Sequence, residues 1–99
     1  MKEIILDFSD IPSVRGLHEY LKGAFGLPDC YGYNMDALWD CLHHSFPAPT
    51  VIVLTHLDRL PAGMENTART LARLFRDLER EDSWVTVRFE GEEPPAPSV

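Results

Sequence analysis

No apolar run in these 99 residues approaches the ~20 that a membrane-spanning helix needs. The start, Met1-Lys2-Glu3, turns acidic at once and has no hydrophobic stretch behind it, so no export signal is expected. Cysteine is scarce: two residues in a chain without such a signal fit a reducing compartment, the cytoplasm, and not a disulfide scaffold. Basic residues are scarce as well. Nine Lys and Arg against sixteen Asp and Glu leave a formal charge of −7. Nucleic acid and anionic membranes are gripped by cationic side chains, so both are poor partners for this chain. There are no internal repeats. What is present is the composition of an ordinary globule, because 44% hydrophobic and 25% charged residues argue against disorder. At this length the chain holds one domain, expected over residues 1–90, with a disordered acidic and proline-rich tail at 91–99.

Three short runs rich in β-branched or aromatic residues read as strands: Glu3 to Phe8, Thr50 to Thr55, and Trp84 to Phe89. The middle one is apolar without alternation, as expected of a strand covered on both faces; the last alternates, so one of its faces is wetter. Helical patterns fill the gaps. Ser13 can cap a helix carrying Val14, Leu17, Leu21, Ala24 and Phe25, ended by Gly26 and Pro28. Asn34 can cap a second, with Met35, Leu38, Trp39 and Leu42 in one stripe before Pro47 and Pro49. A short turn over Leu57 to Leu60 precedes a helix from about Met64 to Glu81, which buries Ala68, Leu71, Ala72, Phe75 and Leu78. Strands alternating with helices imply parallel pairing through right-handed crossovers. The expected fold is α/β, a three-stranded parallel sheet packed with about four helices.

The stretch from Leu27 to Leu42 carries the chemistry. Between Lys22 and Arg59 there is no Lys or Arg, whereas Asp29, Asp36, Asp40 and Asp58 all fall inside. On a helix, Asp36 and Asp40 lie about 40° apart on one face with His43 nearby, and Leu38 and Leu42 turn inward. Carboxylates at i, i+4 repel each other; Asp36 is in the first turn, where the helix dipole favours it, but Asp40 is not. Tyr31, Tyr33 and Trp39 stand beside these charges, and rigid aromatics next to fixed charges are typical of binding hot spots. The plainer reading, in which Trp39 and one tyrosine complete the core and the aspartates form a solvated face, stays open at this level.

The run Tyr31-Gly32-Tyr33-Asn34-Met35-Asp36-Ala37-Leu38-Trp39-Asp40-Cys41-Leu42 resembles the signature of the barstar family, intracellular inhibitors of secreted bacterial ribonucleases of the barnase type. The likeness extends more weakly over about residues 2–90. It implies a barstar-like fold and no enzymatic activity or cofactor. It also implies that Asp40 enters a ribonuclease active site in place of a substrate phosphate, with Asp36 a second acidic contact. Trp39 and Gly32 match positions at or beside the interface, and Asp77 matches an acidic contact from the last helix. Tyr31, Tyr33 and Asn34 complete the expected surface. Cys30 stands where an interface aromatic is usual, and His43 and His44 also depart from the family pattern, which bears on the identity of the target. The implied partner is a basic secreted ribonuclease, bound by a protein that is monomeric when free. A related module serving a different basic toxin is the alternative.

Other constellations are weaker. Cys41-x-His43, with Cys30 and His44 near, lacks the spacing of a structural zinc site and has no second pair downstream. Cys41 beside His44 and Asp40 would make a nucleophile only with an oxyanion loop and an orienting group, and neither is evident. A Cys30–Cys41 disulfide stays open, though a reducing compartment argues against it. Arg69, Arg73, Arg76 and Arg80 form a basic stripe, but Glu65, Asp77, Glu79 and Glu81 intersperse it, as on a salt-bridged solvated face. His18 and His56 are single histidines that need no function.

Overall fold

The computed structural model describes residues 2–90, and the tail expected at 91–99 lies outside them. Three strands, β1 (Lys2–Asp7), β2 (Thr50–Thr55) and β3 (Val85–Glu90), form one sheet in the order β1-β2-β3. Both pairings are parallel, in a register that sets Leu6 beside Leu54 and Ile52 beside Val87. The connections carry α1 (Val14–Phe25), α2 (Met35–Leu42) and α3 (Glu65–Glu81). The expected short turn is a 3₁₀ helix, Leu57–Arg59, so there are three α-helices where about four helices were anticipated. Three residues close one turn but cannot build an independent helix.

The helix ends follow local chemistry. Ser13 Oγ accepts the Gly16 amide at 3.0 Å, and Gly26, at φ 63°, closes α1 in the left-handed region that glycine enters without steric cost. At α3 no side chain of the N-cap residue Met64 is available, and Glu65 instead folds back to accept the Gly63 amide at 2.9 Å. Arg69, one turn on, donates to Asn66.

Alternation along the strands assigns the two faces of the sheet. Leu6, Ile52, Leu54, Val85 and Val87 join buried residues of all three helices in one cluster that includes Leu17, Leu21, Leu38, Leu42, Leu71, Phe75 and Leu78. The helices therefore cover one face. On the other, Ile5 is 58% exposed and Val51 half-buried, while Val53 is buried outside that cluster, flanked in register by Ile5 and Arg88. The expectation that β2 is covered on both faces fails here. A central strand is shielded by its neighbours' side chains even where no helix lies over it, and an apolar run alone cannot reveal the difference. The edges are closed more economically. The Tyr20 hydroxyl accepts the Asp7 amide of β1 at 2.8 Å, and Glu79 accepts the Val87 amide of β3 at 2.7 Å. Each helix side chain thus occupies a donor that an unpaired edge would offer to another chain.

Candidate functional site

The acidic surface is built on α2, and its position is set by joints at both ends. Asn34, extended at φ −143°, accepts the Ala37 amide through Oδ1 at 2.8 Å and donates through Nδ2 to the Gly32 carbonyl at 3.1 Å. A Cβ at Gly32 would lie 3.3 Å from that Nδ2, so glycine leaves room for the cap. Tyr33 (φ 53°) and His44 (φ 55°), one just before the cap and one just after the helix, both sit in the left-handed region. For residues with a Cβ this costs of order 1 kcal/mol each and persists only where the surroundings enforce it. The enforcing contacts are visible. The Arg15 guanidinium lies 5.5 Å from the Tyr33 ring centre, and Tyr33 packs against Tyr31 and His18. At the other end the Ser45 hydroxyl donates to the Leu42 carbonyl at 2.9 Å.

Between these joints Leu38 and Leu42 are buried, and Asp36 and Asp40 are exposed on the opposite side. Neither carboxylate has a hydrogen bond or ion pair among the described residues. Trp39 is half-buried and stacks on His43 at 4.7 Å, and His43 meets His44 at 4.0 Å. His43 Nε2 lies 3.5 Å from Glu81 of α3 without hydrogen-bond geometry. Asp77 stands one turn before Glu81 on α3 and pairs with Arg80 at 3.1 Å. The structure thus groups Asp36, Trp39, Asp40, His43 and His44, with Asp77 on the neighbouring helix and its charge already shared.

One residue is placed differently from a simple contact list. Tyr31 is only 6% exposed and belongs to the core, its hydroxyl 2.6 Å from His18 Nδ1; burial pushes its ionisation up to about 12. It supports the loop from beneath instead of presenting a ring outward. Cys30 is exposed, and Cys41 is half-buried on the far side of α2, lining a groove of about 650 Å³ with Phe25 and Phe46; neither is in a disulfide. Sequence reasoning passed over His18, which is 2% exposed, and Arg15, which covers Tyr33. Nothing in the chain order signals either contact, since each joins residues more than a dozen positions apart. Among the described residues, no group of three or more His, Cys, Asp or Glu is placed to hold a metal ion, and no helix is long and apolar enough to cross a membrane.

The family model described as "Barstar (barnase inhibitor)" matches residues 1–92. A protein of Bacillus subtilis (strain 168) named "Putative ribonuclease inhibitor YrdF" is 41% identical over 81 residues, which is 82% of this chain and 89% of that one.

Proposed function

This chain belongs to the barstar family, and from that premise we propose that it inhibits a basic, secreted, barnase-type ribonuclease in the cytoplasm by occupying the active site. A cleft that holds phosphodiester needs positive charge, so it receives a rigid anionic surface well. Asp40 takes the place of a phosphate, with Asp36 and Asp77 adding charge. Gly32, Tyr33, Asn34 and Trp39 shape the contact, Cys30, His43 and His44 form its rim, and Tyr31 holds the loop in place. The protein acts by binding alone, as a monomer, with no cofactor and no turnover.

The observation that carries this reading is the pair of exposed carboxylates on α2, which have no intramolecular partner among the described residues. A salt-bridged surface would already have spent that charge, whereas free carboxylates on a capped helix keep their full field for a cationic partner at little reorganisation cost. Residual RNA cleavage by a barnase-type ribonuclease, titrated with the wild type and with Asp40→Ala, tests it. Inhibition by the wild type that weakens at least ~30-fold in the variant is expected, about 2 kcal/mol, the threshold of a hot spot. Equal inhibition by both proteins removes Asp40 from the site.

A further inference from the structure

Among the described residues, the buried side-chain polar atom left without a hydrogen bond is Nε2 of His43, at the border of the acidic surface. His43 closes α2 as its C-cap, its amide donating to the Trp39 carbonyl at 2.8 Å. Its ring lies between those of Trp39, stacked at 4.7 Å, and His44 at 4.0 Å. Nε2 faces Glu81, the last residue of α3, with 3.5 Å between it and Oε1. That is ion-pair range without a bond, although buried polar atoms are ordinarily satisfied.

The charges around this ring are nearly all of one sign. On α2, Asp40 stands one turn before it and Asp36 two turns before. On α3, Glu81 is preceded by Asp77, which pairs with Arg80 at 3.1 Å, and Asp82 follows as the cap. The segment after α2 contributes His44. Both helices also end here, and helix ends expose carbonyls with partial negative charge. No basic residue in the last turn of α2 meets that charge.

We infer that His43 is a positioning residue that sets the pH range in which the acidic surface binds: neutral, it leaves Asp40 unpartnered; protonated, it closes onto Glu81 and stands as a counter-charge one turn from Asp40. A neutral imidazole carries its proton on one nitrogen, whereas imidazolium carries one on each, so only the charged ring always donates from Nε2. The Glu81 side chain is 54% exposed and can close the remaining gap without disturbing the core. The effect falls on the partner. A cationic cleft is drawn by the field of Asp36 and Asp40, and a positive charge three residues after Asp40 cancels part of that field. Binding is therefore tighter at neutral pH and weaker in acid, across the range in which histidine changes charge. The inference rests on the inhibitor reading for its cationic partner, whereas the pairing of His43 with Glu81 does not.

Two measurements separate the pair from its role. In the free protein, histidine ¹⁵N spectra are recorded from about pH 8 to 5 for the wild type and Glu81→Gln. The His43 signal is expected to titrate at lower pH in the variant, because a neutral amide no longer favours the imidazolium. Separately, a barnase-type ribonuclease is titrated at about pH 7.5 and 5.5 with the wild type, His43→Gln and His44→Gln. Comparison at each pH cancels the titration of the enzyme itself. From the higher pH to the lower, the wild type and His44→Gln are expected to lose about fivefold more affinity than His43→Gln. A packing role alone would shift His43→Gln equally at both. Inhibition that changes in parallel for all three proteins overturns the inference and leaves the inhibitor reading standing. A His43 signal unmoved by Glu81→Gln overturns it as well. If none of the three inhibits at either pH while the His43 signal responds to Glu81→Gln, the inhibitor reading falls and takes the switching role with it.

Discussion

Single side chains decide how firmly the acidic surface is held. Asn34 satisfies one orphan amide of α2 and anchors the preceding loop through Gly32. Its replacement by alanine removes both bonds, and a loss of about 1 kcal/mol in urea unfolding is expected, within the range for N-cap deletions. A second residue-scale effect depends on pH. Burial holds His18 below the ordinary 6.5, so between that value and its depressed native value the unfolded chain binds a proton that the folded one refuses. Stability therefore falls as pH drops below about 6.5. Asp7, held below 3.8 by the Ser9 amide and hydroxyl and then by His56, and Glu65, held below 4.5 by amides including that of Gly63, add further losses at lower pH. The contribution of each carboxylate is present above its unfolded value and lost as pH falls through the folded one. Urea midpoints measured from pH 7 down to about 2 check this: His18→Asn flattens the upper part of the decline and leaves the lower part.

At the scale of the element, α2 is a helix of eight residues whose charges work against it. Asp36 sits in the first turn, where the dipole favours an anion, but Asp40 lies toward the negative end and four residues from a like charge. Asp40→Asn should therefore stabilise the free protein by about 0.5 kcal/mol while weakening ribonuclease binding by about 2 kcal/mol or more. A calorimetric midpoint that rises while the inhibition constant worsens is the expected signature. The helix itself was readable in the chain, as were its cap at Asn34, the cap of α1 at Ser13 and the left-handed exit at Gly26, because each is set by residues within four positions. That one tyrosine completes the core was an open reading, but that it is Tyr31 was not readable. Its hydroxyl meets a histidine thirteen residues earlier, and only the packing of α1 beneath the loop creates that contact.

For the whole molecule, the parallel pairing followed from alternating strands and helices, but the strand order and the layering did not. The apolar run of β2 would look the same under one layer of helices or two, and exposure of Ile5 on the uncovered face settles it. The excess of sixteen acids over nine bases acts at longer range than any contact. Its field falls off over a Debye length of roughly 10 Å at 0.1 M salt, so the rate of association with a basic enzyme should drop steeply with ionic strength while dissociation changes little. Stopped-flow mixing at several salt concentrations measures both; an on-rate indifferent to salt would remove long-range steering from the account. Asp40→Ala, by contrast, should act mainly on dissociation.

The two left-handed residues that bracket α2 have one more consequence. Because Tyr33 and His44 fix the entry and exit angles, and Leu38 and Leu42 fix the depth, the solvent-side positions of this helix behave as an exchangeable cassette. New residues at 36 and 40, the exposed positions, can re-address the protein to another enzyme without asking the sheet or the other helices to repack.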